Sequence, residues 1–264
     1  MLNFFEKIKF NIRSKVFIIY LIITFLMLSV LGVVVFCFWF RFPYFYISGG
    51  GVLFSLLVLV GFFSGPICTL ITLDDKKSKK EFIFDLFVIL MIQFSALSYG
   101  VYSISHARPI ALVFEVDRLH LITYADIDPR DINELPEWVS PISLEPVRLL
   151  GIRGAETEAD RISLMDLAME GIEPGQKPSW WRTYEQSRLQ VLKNAGNMTD
   201  LLNAHAEKEF DINLGAISAS QGALAGETKN ASDLLWLPIV GRKSADWIAF
   251  IDPVTARIRG FVSL

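Results

Sequence analysis

Residues 102–121, YSISHARPIALVFEVDRLHL, decide how this chain is organised. To their left lies a long apolar segment; to their right the sequence turns polar and alternating. Arg108-Pro109 marks the stop between them, because proline disfavours helical backbone at the residue before it. Beyond it, IALVFEVDRLHLITYAD reads as two short strands, 111–114 and 119–124, around a polar EVDR turn. An apolar helix thus hands over to a β-hairpin with almost no linker, which couples the orientation of the hairpin to that helix.

Toward the N-terminus the apolar character deepens. The chain has 264 residues, 52% hydrophobic side chains, 21 Phe and a mean hydropathy of +0.42, too apolar for an ordinary soluble domain. The excess sits in three segments with little or no charge, 16–40, 51–73 and 82–104. A helix needs about 20 apolar residues to cross a ~30 Å hydrocarbon layer, and all three are long enough. Lys7, Lys9, Arg13 and Lys15 resemble the charged start of a cleaved signal peptide, but the following run is too long and CFWFRFPYF offers no small-residue cleavage site. The expectation is a retained first helix.

Charge sets the orientation. Lys76, Lys77, Lys79 and Lys80 crowd the loop between the second and third segments, whereas the loop 41–50 has the single cation Arg41. Short loops rich in Lys and Arg stay cytoplasmic, so the N-terminus is expected inside and everything after 104 outside. Residues 1–104 carry 9 Lys and Arg against 5 Asp and Glu, a net of +4; residues 105–264 carry 16 against 23, a net of −7. An acidic exterior excludes nucleic acid as its partner and argues against anionic lipid; membrane lipid is the expected surrounding of the apolar segments. Cys37 and Cys68 both lie in those segments, so the outer part must fold on packing alone.

The expected architecture is a membrane protein: an N-terminal three-helix transmembrane bundle (1–104) followed by an extracytoplasmic α+β domain (105–264) with an antiparallel sheet packed on one side by helices. Residues 128–146, with Pro129, Pro136, Pro141 and Pro146, read as irregular. Helical patterns follow at 159–170, 180–194 and 199–210, with Gly171 and Gly196 as stops and Thr199 as an N-cap. The C-terminal LLWLPIVGRKSADWIAFIDPVTARIRGFVSL has three apolar runs, 234–240, 246–251 and 257–264, the rhythm of a β-meander.

Chemistry is sparse. His106, His120 and His205 are scattered without metal-type spacing, and packing or surface roles are expected of them. No phosphate loop, G-x-S-x-G elbow or zincin pattern is present. The acidic run GAETEAD reads as a solvated helix start, and Trp180, Trp181 and Trp247 read first as core and second as binding anchors. The membrane segments say more. Gly61 and Gly65 form G-x-x-x-G ahead of Pro66, a pattern that serves packing among the chain's own helices, a homo-oligomer, or another protein's helix. Asp85, Ile89, Gln93, Ala96 and Gly100 share one face of the third helix, and such a polar stripe should face protein rather than lipid.

Several of these features occur together in a known family. Gly65-Pro66, the lysines 76–80, Asp85-Leu86, Ile92-Gln93, Ala96-Leu97-Ser98-Tyr99-Gly100, Ala107-Arg108-Pro109 and Leu112-Val113-Phe114-Glu115-Val116-Asp117-Arg118 resemble the TfpX/TfpZ family of type IV pilin accessory proteins. The C-terminal LPIVGRKSADWIAFIDPVTARIRGFVSL is similar to that family's ending, while the likeness is weak over the middle of the chain. One departure stands out: the family often has an aspartate a few residues before Gly-Pro, where VGFFSGP has Gly61. The resemblance implies a role in type IV pilus biogenesis at the bacterial inner membrane, with a cytoplasmic N-terminus and a periplasmic C-terminal domain, pilin as partner, no cofactor and no catalysis. Gly61, Gly65, Pro66, Asp85, Gln93, Gly100, Arg108, Asp117 and Arg118 are the candidate contacts, with pilin or among the chain's own helices. Competing readings are a membrane enzyme that modifies pilin, such as a glycan transferase, and a sensor with an external ligand domain. The inner segments are too short to form a sensor's output module.

Overall fold

The computed structural model describes residues 18, 21–72, 78–242 and 246–264, with residues 64–72, 79 and 82 described by backbone alone. The chain divides into two compact units: one holds the described residues up to Trp39 together with Gly50–Ser105, the other Phe40–Gly49 together with His106–Leu264. The boundary expected at 104/105 falls one residue later. The greater difference is that 40–49, expected as a plain loop, belongs to the second unit.

The first unit consists of α1 (Leu21–Trp39), α3 (Gly50–Thr72) and α4 (Lys79–His106, leaving this unit at its last residue). Two stretches among the described residues are long and apolar enough to cross a membrane, Leu21–Trp39 and Ile83–His106; the described apolar part of α3, Gly50–Phe63, is shorter. The N-terminal cations, Lys76 and Lys77 lie outside the described residues, as do the side chains of Cys68 and Lys79. The helices touch through small residues and rings. Phe36 of α1 meets Phe54 of α3 edge to face at 5.0 Å, and a Cβ added at Gly61 would rest against Leu28 at 3.4 Å. The outward side chains of α4, Phe84, Phe87, Met91 and Phe94, are exposed and recur at helical spacing.

The second unit is built on an eight-stranded sheet. Its strands are β1 (Pro109–Glu115), β2 (Arg118–Thr123), β3 (Arg148–Ile152), β4 (Trp181–Thr183), β5 (Gly196–Asn197), β6 (Leu235–Val240), β7 (Trp247–Ile251) and β8 (Ile258–Ser263). The spatial order is β4-β3-β1-β2-β6-β7-β8, with β5 paired to β6. The hairpin and the C-terminal meander fall where the sequence places them, but the sheet is mixed rather than antiparallel: β1 runs parallel to β3 and β2 parallel to β6. Each parallel neighbour is reached by a long crossover, which parallel pairing requires.

Helices cover both faces of this sheet, not one. Leu112, Phe114, Leu119, Leu121, Leu237 and Ile239 pack with Val191 of α6 (Tyr184–Asn194) on one face. On the other, Ile248 and Phe250 pack with Leu201 of α7 (Met198–Ala204) and with Ile212 and Ala216 of α8 (Glu209–Gln221), while Ala111, Val113 and Ile122 pack with Ile127 and Val139. All of β1 is buried, so its unbroken IALVF run is that of a strand covered on both sides. Fully burying one such side chain contributes roughly 1.5–3 kcal/mol.

The helix starts shift for local reasons. The run expected as a helix from 180 begins instead at Tyr184, because Trp181–Thr183 pairs with β3 and Thr183 then forms a capping box with Gln186. The helix expected at 199–210 starts after Asn197, ends at Ala204, and is followed by α8. The acidic GAETEAD does start a helix: Thr157 caps α5 (Glu158–Glu170), which Gly171 terminates at φ 72°.

Segment 40–49 enters this core. It forms a short helix α2 (Tyr44–Ile47) whose Ile47 has no exposed surface and belongs to the same cluster as Phe114 and Ile239. Tyr44 meets Phe261 at 6.0 Å, and Tyr46 stacks on Trp247 at 6.1 Å. Trp180 is buried in the domain, whereas Trp181 stacks on Trp138.

Candidate functional site

The candidate residues from the sequence fall into two groups, one in the apolar helices and one around the hairpin, and the structure adds two further clusters. The first group is in the membrane-type helices. The side-chain amide of Gln93 in α4 donates to the carbonyl oxygen of Gly61 in α3 at 3.1 Å, a bond between the two helices. Gly100, two turns further along α4, lies so close to Leu57 of α3 that an added Cβ would fall 2.0 Å from its δ-carbon. These two members of the polar stripe therefore face α3. The amide oxygen of Gln93, Oε1, is buried without a hydrogen-bond partner beside a cavity of about 170 Å³ lined by Thr24, Met27, Leu28, Leu90 and Phe94. Asp85 is half-buried nearer the start of α4; Gly65 and Pro66 lie in the helical part of α3, their side-chain surroundings outside the described residues.

The second group is Arg108, and it is turned inward. It is 1% exposed, among the largest buried residues that the structure describes. Nη1 donates to the carbonyl of Ser143 and, at 3.4 Å, to that of Glu145, while the Arg108 carbonyl accepts from Tyr124 N at 3.1 Å. Burial lowers its pKa, opposed by the Glu145 carboxylate. Arg108 thus pins the irregular 128–146 segment to the start of the hairpin. Asp117 and Arg118 sit exposed in the β1–β2 turn, bonded to each other at 2.9 Å, with Val116 beside them at φ 47°.

The third group was not legible in the sequence. Val113 pairs with His120 across the hairpin, so Glu115, two residues on from Val113, projects from the same face as His120. The turn Pro174–Gln176 covers them and brings Glu173 alongside. His120 Nδ1 lies 2.7 Å from Glu173 Oε2 and 3.5 Å from Glu115 Oε2. Neither contact is aligned as a hydrogen bond, and both His120 Nδ1 and Glu173 Oε2 are shielded from solvent with no such partner. Glu115 Oε1 accepts from Gly175 N at 2.5 Å, and an added Cβ at Gly175 would sit 2.0 Å from that oxygen, so only glycine permits the approach. Burial tends to lower the His120 pKa, but the Glu115 and Glu173 carboxylates outweigh it and raise it; burial and the neighbouring Glu115 raise that of Glu173.

A fourth cluster holds the C-terminal turn together. Asp252 accepts from the backbone N–H groups of Val254, Thr255 and Thr228 and pairs with Arg259 at 3.0 Å, both side chains fully buried. Glu227 accepts from Arg257 and Thr255. These carboxylates account for the DPVT turn as a structural knot.

No family profile matches the chain, and no solved structure is similar to it. Curated relatives are similar along nearly its whole length. It is 29% identical over 251 residues to the fimbrial assembly proteins of serogroups E1 and I of Dichelobacter nodosus, covering 94% of this chain and 93% of each relative. It is 35% identical over 132 residues to the fimbrial assembly protein of serogroups C1 and C2 from the same organism, half of this chain and 98% of that one. The chain belongs to this family of fimbrial assembly proteins, in keeping with its resemblance to the type IV pilin accessory proteins.

Proposed function

We propose that this chain is a non-enzymatic accessory protein of the bacterial inner membrane that holds type IV pilin before or during its assembly into the pilus. The observation that carries the reading is the placement of 40–49 in the core of the domain formed by 106–264. Those two segments are separated by two apolar helices, so a domain that contains both lies on one side of a bilayer that the helices cross and recross. The lysines at 76–80 favour the cytoplasm for the opposite side, which puts the domain in the periplasm.

A pilin awaiting assembly presents an apolar helix in the membrane and a globular head outside it, and this chain offers a surface in each compartment. In the membrane, the ridge Phe84, Phe87, Met91 and Phe94 on α4 is exposed, while Gln93 and Gly100 are occupied by α3. The fimbrial assembly function named for the relatives supports a pilin as the occupant of that ridge. The test is a strain lacking this chain, in which surface pili and the intact mass of the remaining pilin are measured together. The expected outcome is loss of pili with pilin of unchanged mass. A changed mass would replace this reading with a pilin-modifying enzyme.

A further inference from the structure

Glu115, His120 and Glu173 come from three places in the sequence and offer three ligand atoms, one imidazole nitrogen and two carboxylate oxygens, all within 4.8 Å of one another. His120 is 9% exposed and Glu115 5%. A buried imidazole nitrogen without an aligned hydrogen bond is costly, and here it points between two carboxylates. We propose that these three side chains bind a divalent transition-metal ion of the Zn²⁺ type, which clamps the 173–176 turn onto the β1–β2 hairpin.

The donor set favours such an ion over the alternatives. Ca²⁺ and Mg²⁺ take six or more oxygens, whereas one imidazole with two carboxylates suits a borderline ion with a fourth position left to water. Ligand atoms around a tetrahedral ion with bonds of about 2.0–2.2 Å lie roughly 3.3–3.5 Å apart. His120 Nδ1 and Glu115 Oε2 already have that spacing, at 3.5 Å. Glu173 stands closer, at 2.7 Å, but its side chain is 42% exposed and free to swing outward by less than an ångström. The supporting shell is in place: Gly175 N–H fixes Glu115 Oε1, leaving Oε2 for the ion, and the Gly175 carbonyl is itself held by the indole N–H of Trp181 at 2.7 Å. The two carboxylates also favour a cation between them, and an ion bound there would take the place of a proton shared by the three groups. The ion would tie the turn before β4 to the paired strands β1 and β2, adding to the Gly175–Glu115 bond.

The test uses the full-length chain in detergent micelles, stripped with a chelator and titrated with ZnCl₂ by calorimetry. Saturable uptake of one equivalent is expected, with an X-ray absorption shell of nitrogen and oxygen at about 2.0–2.2 Å. Glu173→Gln changes a half-exposed side chain and should leave the fold intact by circular dichroism. It should weaken uptake beyond the about tenfold to hundredfold that loss of a supporting group costs, and His120→Ala should abolish it. Absence of saturable uptake by the unmodified chain overturns the proposal and leaves a proton-sharing ion pair at this site. Equal uptake by folded Glu173→Gln overturns it as well.

Discussion

Gln93 of α4 donates its amide to the carbonyl oxygen of Gly61 in α3 at 3.1 Å, so the most polar side chain in the middle of α4 is spent on the chain's own neighbouring helix. Polar groups surrounded by lipid are bonded to protein because no water is present to take their place.

Replacing Gln93 by Leu should therefore loosen α3 against α4 by about 0.6 kcal/mol, the average for an interhelical hydrogen bond in a membrane. Gly100→Leu should cost more, because Leu57 occupies the space. Thermal melts of the purified chain in detergent check the order: Gly100→Leu below Gln93→Leu below the unmodified protein.

A labelling experiment reports on topology. With Cys37 and Cys68 replaced by serine, single cysteines at Tyr46 and Val254, both exposed, should react with a membrane-impermeant thiol reagent added to cells with opened outer membranes. A cysteine at Ser78 should react only after the inner membrane is broken. Labelling of Tyr46 and Val254 from opposite sides would refute the shared compartment of 40–49 and 106–264.

Arg108→Ala should remove the anchor of the 143–145 carbonyls and destabilise the outer domain by about 2 kcal/mol, the scale of hydrogen bonds made by a charged donor. Arg108→Lys should recover part of the loss, because both carbonyls are reached by the single nitrogen Nη1, a role an ammonium can share. Chymotrypsin cleavage after Trp138 or Leu144 is the readout, and both variants should be cut faster.

The DPVT knot gives the outer domain an acid limit. Hydrogen bonds from Arg257 hold the Glu227 carboxyl down, to about 2; Asp252 is pushed up by burial but brought below the usual carboxylate range by the N–H groups of Thr255, Val254 and Thr228. Carboxyls depressed in the folded state stabilise it fully above their unfolded pKa, about 4, and cease to do so as pH falls toward 2. Unfolding temperature should drop across that window, and Glu227→Gln should flatten the drop while lowering the plateau at pH 7.

Much of this was legible before any coordinates. Arg108-Pro109 announced the junction of helix and hairpin, the IALVF and WIAFI runs announced strands, and Gln93 announced a protein-facing stripe. Other parts depended on contacts between distant residues. His120 looked solitary because Glu115 reaches it across a hairpin and Glu173 from a turn much later in the chain, and ligand spacing in sequence cannot express such a meeting. Ile47 was hidden in RFPYFYISGG, whose cation, proline and glycines read as loop although this one residue is wholly buried. In α8, Phe210, Leu214 and Ile217 stay exposed while Ile212, Ala216 and Ala219 are buried. With apolar residues on both sides, the helix has no one-sided stripe to read. The sheet was expected to be antiparallel because strand runs alone do not reveal that β3 and β6 return beside β1 and β2 by crossovers.

The claim that this chain holds pilin is tested most directly by photo-crosslinking in living cells that assemble pili, with a photoreactive amino acid placed at Phe94 or Phe87 on the exposed ridge of α4 and, as a control, at buried Ile89. The account predicts a crosslinked species containing pilin from Phe94 and Phe87, absent from Ile89 and from cells without pilin. Chains crosslinked only to lipid or to other copies of themselves at all positions, with pilin expressed at its normal level, would contradict it.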